Sequence, residues 1–239
     1  MPKSRPPLKS PNRLPIPLEA GATTALVYPA QGQPLDRTLI LAHGAGAGQQ
    51  NVFIVSFANA LAASGVSVVT FNFLYTEQRR RIPDRAPVLE ACYLAVIDAV
   101  RKHVAGATSP LFIGGKSMGG RIATQVAAGN RQLEVDGIVL LGYPLHPPGK
   151  PDQLRDKHLP LVARPMLFVQ GSRDAFGTPV ELEPILNTLT PRPVLHVIPG
   201  GDHSFKIPGR DSDAQNEVYA SIQSQIVRWM GAITGLSPV

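Results

Sequence analysis

A chain of 239 residues, 44% of them hydrophobic, is long enough for one α/β domain with a sizeable core. No apolar stretch approaches the roughly 20 residues of a membrane-spanning helix, which excludes an integral helical membrane protein. The formal charge of +6 suggests an acidic partner, but Lys3, Arg5, Lys9 and Arg13 all precede the first acid, Glu19. Residues 1–17 are rich in proline and read as a basic, disordered tail without the apolar segment of a secretory signal. Residues 18–239 are expected to form a single domain. A nucleic-acid partner is not expected, because the basic residues are not interleaved with aromatics and form no recognisable module.

Short apolar runs then alternate with helical patterns along the chain. Residues 38–44, TLILAHG, predict a strand, and 51–64, NVFIVSFANALAAS, a helix. A strand over 66–73 (VSVVTFNF) precedes a loop with Arg79, Arg80, Arg81 and Arg85, followed by the helical pattern PVLEACYLAVIDAVRKH. The arginine loop reads as a solvated basic surface, with the steering of anionic substrates as the alternative. Cys92, the only cysteine, falls in that helix as a buried thiol; no internal disulfide can form, and a cytoplasmic location is expected. Further strands are predicted over 110–115, 135–143, 165–171 and 193–200. A helix follows Ser117, and a closing helix covers DAQNEVYASIQSQIVRWM. Continuous apolar strands separated by helices imply a doubly wound, mostly parallel sheet covered on both faces.

Three glycine-rich patterns compete for the chemistry. The run GKS at 115–117 ends like a phosphate-binding P-loop, but Pro110 occupies the position of the first required glycine. HGAGAGQQN at 43–51 resembles a dinucleotide fingerprint, yet the third glycine is replaced by Gln49 or Asn51, and the next strand ends without the expected acid. Gly115-Lys116-Ser117-Met118-Gly119 fits a third pattern, G-x-S-x-G, in which a strand turns sharply into a helix with serine at its tip. Residues two before and two after that serine come close together, so glycine is needed at both. A serine in a structural Gly-rich turn is the plain alternative, weakened by the strand before and the helix after.

A serine hydroxyl becomes a nucleophile when a base removes its proton and a third group orients the base. Asp174 follows the strand PMLFVQG, and His203 follows PVLHVIPG. Both stand where the C-terminal ends of parallel strands would form one crevice. His196 lies inside a strand, His103 at a helix end, and His146 and His158 in a Pro-rich connection, so His203 is the expected base. Asp152 and Asp156 are the alternatives to Asp174, while Asp202 is too near His203 in sequence to orient it. The Gly-rich turn after LILAH offers a backbone N–H at Ala45, or at Gly46, to serve with that of Met118 as an oxyanion hole. His43 is expected to brace this turn. No metal cluster or cofactor motif appears.

With these motifs in place, the chain from about residue 20 onward resembles an α/β-hydrolase. Within that superfamily it is similar to small dienelactone-hydrolase-like and testis-expressed-type hydrolase-like proteins; FNFLYTEQRRRIPDR strengthens the second likeness. Dienelactone hydrolases use cysteine as the nucleophile, and Ser117 departs from them. The resemblance implies hydrolysis of a small-molecule ester or related acyl compound by Ser117, His203 and Asp174. The alternative is a binding or scaffold protein that keeps the fold without using it. The connection over 144–164, broken by prolines and charges, leaves room for one short helix and no cap domain.

Overall fold

The computed structural model describes residues 10–106 and 108–235. Eight strands form one sheet in the order β1-β2-β4-β3-β5-β6-β7-β8: Asn12–Leu18, Gly21–Tyr28, Thr38–Ala42, Ser67–Phe71, Leu111–Lys116, Gly137–Leu141, Met166–Gly171 and Val194–Ile198 are β1 to β8 in chain order. β3 to β8 run parallel, while β1 and β2 join antiparallel at one edge. Among the described residues six α-helices accompany them: α1 (Val52–Ala63), α2 (Leu74–Glu77), α3 (Ala86–His103), α4 (Met118–Gly129), α5 (Pro179–Leu186) and α6 (Ser212–Thr234).

Every residue of β3, β5, β6 and β7 is buried, as continuous apolar strands between two helical layers require. On one face Ile54, Phe57 and Leu61 of α1 and Ile222, Ile226 and Met230 of α6 form a core with Phe112 and Leu141. On the other, side chains of α3, α4 and α5 pack with Ile40, Ile113, Leu140 and Phe168. The six strands and the four helices expected from hydrophobic pattern are present, with ends shifted by a few residues.

The hairpin β1–β2 was not expected. The tail boundary at residue 17 therefore needs correction from residue 12 onward, and residues 1–9 lie outside the described residues. Leu14, Ile16 and Leu18 turn toward the core, while Arg13, Pro15 and Pro17 alternate with them on the exposed side. Pro15 and Pro17 are tolerated because β1 is the outer strand, where a missing N–H removes no bond from a neighbour.

The chain runs from β3 to β4 on one side and then returns to place β5 on the other. The C-terminal ends of β3 and β5 thus flank the point where the winding reverses, the usual crevice of such sheets. The 144–164 connection carries a single 3-10 turn, Leu159–Leu161, and no cap domain stands over that edge. Among the described residues no helix is long and apolar enough to cross a membrane.

Candidate active site

Ser117 sits between β5 and α4 with φ 52° and ψ −117°, a backbone conformation that a residue with a side chain rarely adopts. The turn is held by the Ser117 N–H, which donates to the Leu141 carbonyl at 2.9 Å. It is also closely packed. A methyl group on Gly115 would lie 2.6 Å from the Ala42 carbonyl oxygen, and one on Gly119 2.7 Å from those of both Ala42 and His43. Glycine at both places is therefore a steric requirement of bringing β5, α4 and the end of β3 together.

The Ser117 Oγ is 2.9 Å from His203 Nε2, and His203 Nδ1 is 2.8 Å from Asp174 Oδ2. These three residues, 29 and 86 positions apart in sequence, come from three separate strand ends and form one hydrogen-bonded chain. An ionised carboxylate only accepts, so Nδ1 donates to Asp174 and leaves Nε2 to accept from the serine hydroxyl. The His203 ring stacks on Phe176 with centroids 4.2 Å apart, which fixes its plane.

Asp174 is buried, and each of its oxygens has further partners. Oδ1 accepts from the Phe176 N–H at 2.8 Å, and Oδ2 accepts from Gln170 Nε2 at 2.8 Å. Gln170, wholly buried at the end of β7, also donates to the Gly177 carbonyl and accepts from the Tyr143 N–H. It ties the Asp174 loop to the end of β6. A glutamine at the end of the otherwise apolar strand MLFVQG was the available signal, and sequence reasoning passed over it.

The other candidate acids and histidines stand outside this chain of bonds. Asp202 Oδ1 accepts from the Ser204 and Lys206 N–H groups and so shapes the His203 loop from within. Asp152 is exposed on the 144–164 connection. His146 meets Glu181 at 3.2 Å, and His158 bonds Thr124 Oγ1 at 2.8 Å with its proton affinity lowered by burial to a pKa of about 4. Cys92 is buried, and burial pushes its thiol up to about 12, which disfavours a thiolate nucleophile.

The turn after β3 packs directly against the serine: a methyl on Gly44 would lie 3.5 Å from Ser117 Cβ. His43 braces this turn from a fully buried position. Its Nδ1 meets the Gly44 carbonyl at 2.8 Å, and its Nε2 accepts from the Phe73 N–H at 3.2 Å. Burial lowers its pKa, so the ring is held neutral, in the tautomer these two bonds require. The Tyr75 hydroxyl donates to the Ala45 carbonyl at 2.9 Å and fixes the next peptide. Among the described residues, the N–H groups of Ala45, Gly46 and Met118 have no internal acceptor. Met118 opens α4, whose first turn leaves such donors free and adds the positive end of the helix dipole. The arrangement can therefore receive negative charge next to Ser117 Oγ.

Arg79, Arg80, Arg81 and Arg85 are exposed, and Arg80 pairs with Asp84 at 2.6 Å. Among the described residues no group of three or more His, Cys, Asp or Glu side chains is placed to hold a metal ion.

A lidless, mostly parallel eight-stranded sheet with a strained serine between strand and helix defines the α/β-hydrolase class. The alpha/beta hydrolase domain family matches residues 35–231, and the chain belongs to that family. Its fold is similar to that of an alpha-beta serine hydrolase homologue from Coxiella burnetii, at a TM-score of 0.73 and 19% identity over 93% of this chain and 99% of that one. A lidless a/b serine hydrolase from Xanthomonas campestris is similar at 0.70 and 22% identity, over 94% and 98% of the two chains. Dienelactone hydrolase from Anabaena variabilis gives 0.68 and 20% identity over 90% and 97%.

Proposed function

We propose that the protein is a serine hydrolase of small, soluble esters or related acyl compounds, acting through Ser117, His203 and Asp174. The observation that carries this is the continuous bond chain from Ser117 Oγ through both ring nitrogens of His203 to buried Asp174. His203 Nε2 takes the hydroxyl proton as Oγ attacks the acyl carbon, and Asp174 orients the ring and stabilises the imidazolium. The carbonyl oxygen gains negative charge and is held by the N–H groups of Met118 and Ala45. As the tetrahedral centre collapses, His203 returns the proton to the departing alcohol and the acyl group stays on Ser117. Water then attacks that ester, again giving its proton to His203, and the acid leaves as Ser117 regains its hydrogen.

Substrate size follows from the missing cap. With one 3-10 turn in the 144–164 connection, little apolar wall is available for a long acyl chain. Each methylene that did find a wall would add about 0.8 kcal/mol, so a deep groove would reveal itself as a steep rise with chain length. Across p-nitrophenyl esters from acetate to palmitate, kcat/KM is expected to be highest for the short acyl groups, with no jump in rate above the micellar threshold. A clear rise toward palmitate, or activation at the interface, would contradict the proposed substrate class. Hydrolysis of no ester in the series would count against the hydrolase activity itself.

A further inference from the structure

Lys116, the residue before the serine, is the one member of the G-x-S-x-G run that the mechanism leaves unused. Its neighbour Gly115 faces α4, so strand alternation turns Lys116 toward the opposite sheet face, beneath the His203 loop. The side chain is 9% exposed, and its Nζ, fully shielded from solvent, has no hydrogen-bond partner. The stem passes Gly44, and the ammonium lies 5.8 Å from the centre of the buried Phe205 ring. A methyl on Gly142 would lie 3.0 Å from Lys116 Nζ, 3.0 Å from the His203 carbonyl oxygen and 3.3 Å from His203 Nδ1. The ammonium and the imidazole therefore stand within about 6 Å of each other, both bordering the space beside a residue with no side chain.

We propose that Lys116 is a positioning residue for this site: its buried ammonium acts on His203 across Gly142, opposing the imidazolium and so extending to lower pH the range in which the neutral ring can serve Ser117. The other ionisable groups facing this space are Asp174 from the β7 loop, Asp202 from the His203 loop itself, and Tyr219 of α6, whose hydroxyl reaches the Ser204 carbonyl.

Two physical points favour a role beyond packing. An unpaired buried charge lowers stability, and an apolar residue of the same shape would remove that cost. Burial depresses the lysine to about 8, against the pull of Asp174 and Asp202. The native state thus binds this proton less well than the unfolded chain. The resulting destabilisation is fully present below about 8 and fades as pH rises toward the unfolded lysine value. Such a conflict with stability, placed beside reacting groups, is the pattern of a functional residue.

The test is an NMR titration of the histidine ring signals in the full chain, with His203 assigned by its loss in His203→Gln. Wild type is compared with Lys116→Met and Lys116→Gln. Like charges at this separation, at an effective dielectric of about 20 to 40, are worth about one to two pH units. The His203 midpoint is therefore expected to rise by about one pH unit or more in both variants. The acid limb of kcat/KM for p-nitrophenyl acetate should move up with it. The Tm of Lys116→Met should be no lower than wild type at pH 7. A His203 midpoint that stays put or falls overturns the proposal, as does failure of both variants to fold, which would make the ammonium a structural requirement. The proposal about the rate rests on the serine-hydrolase function, but the NMR comparison does not. A wild type without turnover would count against the hydrolase alone and leave the ring titration to decide.

Discussion

His203→Ala is expected to lower kcat by about 10⁴- to 10⁶-fold while leaving the fold and Tm nearly unchanged. The ring is partly exposed and stacks on Phe176, so its removal costs little core, whereas Ser117 loses the imidazole bonded to its hydroxyl. Asp174→Asn is expected to cost about 10³- to 10⁴-fold, because a neutral amide no longer dictates which ring nitrogen carries the hydrogen. Asp174 also holds the Phe176 N–H and Gln170, so some loss of stability should accompany this variant. Asp152→Asn serves as the control. Its side chain is exposed on the 144–164 connection and should leave the rate within a few-fold of wild type. Steady-state rates with p-nitrophenyl acetate for the three variants check the assignment. A dead Asp152→Asn with an active Asp174→Asn would reverse the choice of acid.

The largest effect on folding is expected at Gly114, in the middle of β5. A methyl there would drive into the Val139 carbonyl oxygen of β6, and all three of its nearest contacts are backbone atoms that no rotamer change can move aside. The same residue accepts from and donates to the buried Tyr93 hydroxyl, with the Gly114 N–H at 2.9 Å and the carbonyl at 2.7 Å. Gly114→Ala must therefore separate β5 from β6 and strain a bond network at the centre of the sheet. A loss of about 3 kcal/mol or more is expected, equivalent to a fall in Tm of about 10 °C for a domain of this size. At Gly129, the last residue of α4, a methyl meets nothing within 4 Å, and Gly129→Ala should be neutral or raise Tm slightly. Thermal unfolding of the pair separates a packing requirement from a general intolerance of substituted glycines.

Much of this was legible because the fold imposes order on the sequence. Parallel strands buried on both faces leave continuous apolar runs, and reactive groups must stand just beyond their C-terminal ends. The G-x-S-x-G run between strand and helix pointed to Ser117, and position just beyond a strand end pointed to Asp174 and His203 in a chain with 17 acidic residues and six histidines. The edge was less legible. β1 has two prolines and β2 opens with Gly21-Ala22-Thr23-Thr24, so neither shows the apolar run of a central strand. Their places follow from the alternation of half-buried side chains and from pairing partners distant in sequence. Gln170 and Tyr75 were hidden for a related reason: each acts through side-chain bonds to backbone groups that only folding brings near, Tyr143 and Gly177 for Gln170 and Ala45 for Tyr75. Ala45 and Gly46 could not be separated from sequence, since the direction of an N–H depends on how His43 and Tyr75 fix the two carbonyls of the turn. Lys116 belonged in sequence to a rejected phosphate-loop pattern. Its burial beneath the His203 loop depends on which sheet face it meets.

The central claim is that Ser117 is an activated nucleophile, and labelling by a fluorophosphonate probe tests it most directly, since an unactivated serine attacks phosphorus poorly. Intact protein incubated with the probe should gain one adduct, and peptide mass spectrometry should place it on Ser117. Ser117→Ala should abolish both the adduct and ester hydrolysis while retaining the wild-type fold, and His203→Ala should slow labelling by orders of magnitude. An adduct that persists undiminished in Ser117→Ala, or a folded wild type that the probe leaves unmodified, would contradict the claim.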